Sequence, residues 1–420
     1  MQQLRKYGAI GGAIVIAAIW PLAVGQIAQK VMTDGIVQLS NSKMSAEVIE
    51  YDRGYFSAQA ITRFVVTDEA LKSQLEKDGI PTQISLTHQI SHGLLSIDAK
   101  TNTLENPLLA FSLNTNTKLN GNTTFSLNGD PIEFKDKNGG QLNIDRYTSE
   151  GSIVLGGESL VRIEVPNTEV EFANGESLQM KKLVLEGKGQ KGLGIWLGSQ
   201  NIQIDGLALD THDPLNSMSL DQLSYAVNAY QNETGDSLTN TQQLQLKQVE
   251  LSDVTFDQID MDFSINGLNS SAFEGLMSLY QQNQVLNDQQ IEQAIPLLDS
   301  LVESGIRFDL SKLSVASTNG DMAMKWNVEI PKGLANVSQN PTMLINQLTG
   351  ELSSSTSEKL ASTYPMVQEG IDEMMIMEFA EESSNGYALK ATLDNGIVTF
   401  DTGKQMSLMA LFMPLMVNGQ

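Results

Sequence analysis

The sequence predicts an α+β protein: an N-terminal transmembrane and stalk helix, then a large, mostly antiparallel, twisted β-sheet with helices packed against it. Three observations carry this expectation. Residues 7–29, from Tyr7 to Gln29, contain no charged side chain, with Arg5 and Lys6 before them and Lys30 after. From Pro81 to Ile265, apolar and polar residues alternate in runs broken by Gly and Asn turn signals. That period of two is the mark of strands with one buried and one wet face. After Asn269 the apolar spacing changes to three and four, the spacing of an amphipathic helix.

A helix needs roughly 20 apolar residues to cross a bilayer. Ile10 to Trp20 is dense in Ile, Val and Ala and includes Ile14 and Ile16. Trp20 suits an interface, and Pro21 kinks the helix after it. The positive-inside rule holds Arg5 and Lys6 in the cytoplasm. An uncleaved signal-anchor is favoured over a signal peptide cut near Ala23-Val24-Gly25, and both export the bulk of the chain. Gly8 and Gly12 stand at GxxxG spacing, which permits a homodimer. Small residues are common in membrane helices, so a lone lipid-facing helix is the alternative. The expected organisation is an n-region at 1–6, the span at 7–29 and a helical stalk at 30–43. A β-rich region at 44–265 and an α+β region at 266–420 follow, packing on the same sheet.

In the stalk helix, Ile27, Val31, Ile36 and Leu39 are apolar. A hairpin over residues 45–67 turns at Asp52-Arg53-Gly54, where Gly admits positive φ. Strand pairs flank Asn120-Gly121-Asn122, Asn138-Gly139-Gly140 and Gly156-Gly157. Strands continue over Leu160–Phe172, Leu178–Leu185 and Asn201–Leu209, with a hairpin turn expected at Gly187–Gly192. Ile259, Met261, Phe263 and Ile265 alternate with Asp260, Asp262 and Ser264. Ser271 with Glu274 reads as a capping box, opening a helix through Phe273, Leu276, Met277 and Tyr280. A second helix from Asp288 through Val302, kinked at Pro296, completes a helical hairpin. Strands return at Ile306–Val315 and Met322–Ile330. Pro341 opens a helix to Leu348, and Ser355 with Glu358 caps another that continues, broken at Pro365, through Ile371 and Phe379. Asn395-Gly396 turns the last hairpin.

Composition narrows the chemistry. Fifty acidic residues against 26 basic ones leave a net charge of −24, which opposes binding to nucleic acid or to anionic head groups through a basic patch. The chain has no Cys and three His, which removes thiol nucleophiles and thiolate metal sites. His88 and His92 stand at metal-ligand spacing, but Gln89 occupies the position where a zincin requires Glu. They are expected as two structural or exposed strand histidines. Asp257, Asp260 and Asp262 lack the order of a calcium loop and read as a polar strand face. No Gly-x-Ser-x-Gly elbow occurs. No cofactor is expected. Met374, Met375, Met377, Met406, Met409, Met413 and Met416 suit either core filling or an adaptable surface for a partner or an acyl chain.

The segment Tyr51-Asp52-Arg53-Gly54-Tyr55-Phe56-Ser57-Ala58 resembles the tyrosine–Arg-Gly–aromatic–Phe-Ser element of the YdgA-like family of bacterial envelope proteins. Ile90-Ser91-His92-Gly93 is similar to that family's His-Gly element. Tyr387–Leu408 is similar to its closing pattern, with Asp401-Thr402-Gly403-Lys404 where Asn-Gly-Lys is expected. The matching positions are Tyr51, Arg53, Gly54, Phe56, Ser57, His92 and Gly93. The resemblance implies a single-pass inner-membrane protein with a periplasmic body, and it transfers no catalytic residue. The leading expectation is a non-enzymatic envelope scaffold or interaction protein. The alternatives are a lipid-handling protein with an apolar β-groove for acyl chains, AsmA-like in kind, and an envelope hydrolase.

Overall fold

Alternating residues make this chain a succession of antiparallel strands, each presenting one face to apolar neighbours and one to water. The computed structural model describes residues 24–37, 39–41, 43–93, 95–104, 106–137, 139–251, 254–282 and 287–411. Two units divide the chain: residues 1–186 with 208–212, and residues 187–207 with 213–420.

The first unit comprises α1 (24–37), β1 (Met44–Arg53), β2 (Ser57–Val66), α2 (Glu69–Asp78), β3 (Gln83–His92), β4 (Ser96–Leu104), β5 (Phe111–Lys118), β6 (Thr123–Gly129), β7 (Ile132–Lys135), β8 (Gln141–Ile144), β9 (Thr148–Ile153), β10 (Ser159–Glu171) and the first part of β11 (Ser177–Gly192). The strands pair antiparallel in the order β1-β2-β3-β4-β5-β6-β9-β10. β8 joins the second half of β10, and β7 joins β8. Register separates the faces cleanly. Asp52, Gln59, Gln89, Lys100, Asn114, Ser126 and Glu150 stand opposite one another on one side. Ala58, Ile90, Ala99, Thr115 and Phe125 do so on the other.

α1 lies on the apolar side. Its Met32 packs against the cluster of Ala58, Ala60 and Ile90, and Val24 and Ala28 are buried. Among the described residues, no helix is long and apolar enough to cross a membrane. This corrects the expected transmembrane signal-anchor and the single-pass inner-membrane location. The described end of that stretch, 24–29, is helical, and the helix continues through Lys30 and Asp34. Tyr7, Ile14, Ile16 and Trp20, with Gly8 and Gly12, lie outside the described residues.

The second unit takes up the chain within β11. It contains most of β12 (Ile195–Asp210), then β13 (Met218–Gln231), β14 (Ser237–Leu251), β15 (Val254–Phe256), β16 (Gln258–Asn269), α3 (Ser270–Gln282), α4 (Asp288–Glu303), β17 (Ile306–Ser317), β18 (Gly320–Ile330), α5 (Pro341–Ile345), β19 (Thr349–Ser357), α6 (Glu358–Thr363), α7 (Pro365–Ile376), β20 (Glu381–Ser383), β21 (Gly386–Asp394), β22 (Ile397–Phe400) and β23 (Gln405–Ser407). Its antiparallel order is β13-β14-β16-β17-β18-β19-β21-β22-β23, with β15 on β14 and β20 on β21. α3 and α4 pack on each other and on β16. The main core gathers Ala229, Leu238, Leu268, Ile306, Ile330, Leu334 and Val337, with Phe273 and Leu301 from the helices.

Several expected boundaries shift for local reasons. The Asn269 side chain, not a Ser271–Glu274 box, caps α3, accepting from the Ala272 N–H at 2.9 Å. α4 has a full capping box of Asn287 and Gln290, and it runs unbroken through Pro296. Ser357, rather than Ser355, caps α6. Gly187–Gly192 is strand, and the turn falls at Leu193-Gly194, both at positive φ. A Cβ on Gly189 would lie 2.0 Å from the Leu197 carbonyl oxygen and 2.8 Å from the Trp196 indole nitrogen, so glycine there admits the close approach of backbone and ring.

Candidate functional site

Three rows of side chains cross the apolar side of the second unit's sheet. One row joins Leu223, Leu246, Ile259, Val315 and Met322. The next joins Tyr225, Leu244, Met261, Leu313 and Met324. In the third, Phe263, Leu310 and Trp326 stand opposite one another, with the Phe263 and Trp326 rings 6.0 Å apart. Leu310 is buried, while all ten members of the first two rows are only partly covered. None belongs to the helix-covered core or to the cluster of Ala391, Val398 and Phe400. These rows hold no charge. The Tyr225 hydroxyl is satisfied on the sheet itself, donating to Gln242 Oε1 at 2.8 Å. Alternation marks Ile259, Met261 and Phe263 of these rows as one face of a strand. It carried no signal that helices would cover only the ends of the face, because that depends on where α3, α4 and α6 land.

The opposite side of this sheet is polar. Asp260 is buried there, not on a wet strand face as expected, and its carboxylate accepts from Lys312 Nζ (2.9 Å), Gln258 Nε2 (2.9 Å) and Ser314 Oγ (3.4 Å). The Lys312 hydrogen bond, more than its charge, holds the Asp260 carboxyl below the ordinary aspartate range. A recess of about 570 Å³ on this side is bordered by Asp309, Lys325, Glu351, Lys390 and Asp401. Among the described residues, no group of three or more His, Cys, Asp or Glu is placed to hold a metal ion.

The paired histidines occupy the first unit. Both lie on β3, and both are buried. His88 Nε2 is 2.9 Å from Thr62 Oγ1, and its Nδ1 is 2.8 Å from Thr101 Oγ1. Burial pushes the His88 pKa down to about 4. Neither ring nitrogen of His92 has a hydrogen-bond partner, and its ring lies directly beneath Gly25 of α1. The two histidines therefore share no ligand position.

The family-like residues converge at one end of the first sheet. Gly54 N–H donates to the Ser57 carbonyl, and Gly93 N–H donates to the Ser96 carbonyl, each at 2.8 Å. These bonds close the β1–β2 and β3–β4 turns, and His92 N–H ties them by donating to the Phe56 carbonyl at 2.7 Å. Tyr51 packs against Ala58, Ala60 and Ile90, and burial raises the pKa of its hydroxyl. Arg53 ends β1, and Ser57 opens β2 opposite Ser91. Phe56 projects outward, 61 % exposed, edge-on to Tyr55 at 4.5 Å.

The fold thus defines an antiparallel β-sheet protein with helices, whose sheets each separate a polar from an apolar side. The chain belongs to a family of bacterial proteins of unknown function (DUF945), whose model matches residues 4–409. No curated protein and no solved structure matches it.

Proposed function

We propose that the protein is a non-enzymatic binding protein, and that its ligand is an acyl chain or similar lipid tail held on the apolar rows of the second unit. Within the family, the Tyr51–Ala58 segment favours the YdgA-like members. One observation carries the ligand assignment. Ten apolar side chains on β13, β14, β16, β17 and β18 are partly covered and uncharged, and they are bound into no buried core cluster. Five strands at ~4.8 Å spacing give rows roughly 19 Å long, the reach of a long acyl chain. Met261, Met322 and Met324 supply a surface that adapts to a flexible tail. The non-enzymatic reading draws support from the histidines. Threonines occupy both nitrogens of His88, and His92 lies buried beneath Gly25.

The test is to purify the full chain, extract it, and identify bound lipid by mass spectrometry. Uptake of a fluorescent fatty acid is then measured for the wild type and for Met261→Glu and Leu313→Glu. Co-purified lipid, with uptake falling at least tenfold in both variants, is expected. Absence of lipid together with absence of uptake overturns the proposal, as does uptake unchanged in folded variants.

A further inference from the structure

The helix α7 shows a second surface, unconnected with the acyl-chain rows. It is fixed at both ends. The Tyr364 hydroxyl before it accepts from Asn319 Nδ2 at 2.9 Å, and Phe379 after it stacks on Phe400 at 4.4 Å. Ile371 is buried beneath it. A helix so held exposes side chains by construction rather than through fraying. Met366 is 86 % exposed, Met374 43 % and Met377 50 %. With Gly370 they fall at i, i+4, i+8 and i+11, one stripe of a helix. A Cβ on Gly370 would meet nothing within 4 Å, so the stripe has an open notch between two methionines.

Charge selects the occupant. α7 carries Glu369, Asp372 and Glu373 and no basic residue. Lys404, across from its C-terminal end, is paired with Glu378 at 3.3 Å. A methionine stripe edged by carboxylates is repelled by anionic head groups. In a chain of net charge −24, it is repelled by a second copy as well. It is complementary to an apolar helix face bordered by Lys or Arg. Methionine adapts to partners of differing shape, and a helix laid along such a surface reads as anchors at i, i+4 and i+7.

We infer that α7 is a docking surface for a cationic amphipathic helix of a partner protein. The full chain is titrated with a synthetic Lys/Leu amphipathic helix, with a scrambled peptide of the same composition, and with a peptide bearing Glu in place of Lys. The expected result is binding of the first alone, weakened by salt. It should weaken at least tenfold in the triple variant Met366→Gln, Met374→Gln, Met377→Gln, whose thermal transition is unchanged because these side chains are exposed. Equal binding of the scrambled peptide, or no loss in the triple variant, overturns the inference. So does preferential binding to phosphatidylcholine/phosphatidylglycerol vesicles, or methionine-dependent dimerisation in sedimentation.

Discussion

Acid should loosen the first unit through one side chain. His88 is 9 % exposed, between Thr62 on β2 and Thr101 on β4. A threonine hydroxyl both donates and accepts, so the neutral ring is satisfied in either tautomer. The protonated ring still finds two acceptors. Burial strips its charge of hydration and lowers the pKa to about 4 from the ordinary 6.5. Between these values the unfolded chain binds the proton and the folded chain does not, so stability falls as pH drops through 6.5 towards 4. It is fully present above 6.5. Below 4 the loss approaches an upper bound of about 3 kcal/mol, and between pH 7.5 and 5 it is about 2 kcal/mol.

The perturbation is His88→Gln, whose amide keeps a donor and an acceptor for the two threonines. Hydrogen exchange of the β2–β4 amides, compared between wild type and variant at matched pH, cancels the titration of carboxylates common to both. The wild type's advantage over the variant should shrink by about 2 kcal/mol from pH 7.5 to 5. With three His in the chain, the imidazole resonances of labelled protein give an independent check, one of them not titrating until near pH 4. A pH-independent difference, or a His88 resonance that titrates near 6.5, would refute the reasoning.

Other expectations concern the second unit. Leu310→Ala should cost about 2–5 kcal/mol and Leu313→Ala about 1 kcal/mol in denaturant titration, because Leu310 is buried and Leu313 is not; equal costs would mean the apolar rows are as well covered as the core. Lys312→Met leaves the Asp260 carboxylate buried without its ammonium partner and should cost about 1–3 kcal/mol at pH 7. That deficit should narrow as pH falls through the depressed Asp260 range, where the native pair is itself lost. Asn287→Ala removes the capping box of α4 and should cost about 1 kcal/mol.

The strands of this protein could be read ahead because one rule, period two, governs them. Asn120-Gly121 and Asn395-Gly396 fell at the β5–β6 and β21–β22 turns, with Gly121, Asn395 and Gly396 at positive φ. Elements whose stability comes from elsewhere were missed. α2 has no buried residue and so no apolar stripe to betray it. Its signals are the Asp68 cap and the left-handed Gly79. β19, Gly-Glu-Leu-Ser-Ser-Ser-Thr-Ser after its first Thr, has little strand propensity of its own and is held by β18 on one side and β21 on the other. Of the apolar rows, the β16 members Ile259, Met261 and Phe263 were visible as inward positions. Their partial exposure was not, because it depends on distant helices covering only part of the face.

The family-like motif at residues 51–57 and 92–93 has a structural role in the first unit. Its residues close two turns, tie them through His92, and seat α1 with Tyr51 in the underlying cluster. Gly25 is where this seat is tightest. A Cβ there would lie 2.7 Å from His92 Cε1 and 2.8 Å from Nδ1, closer than real contacts allow. The imidazole stands on a strand end held by the Phe56 carbonyl, so the helix has to give way. Gly25→Val should therefore cost about 1–3 kcal/mol and speed exchange of the α1 amides, while β5 and β6 keep their protection. Adding His92→Ala removes the obstructing ring and should restore much of the loss, giving a coupling energy of about 1 kcal/mol or more in the double-mutant cycle. Additive effects would mean that Gly25 and His92 act separately, and that the motif does something other than hold α1 to the sheet.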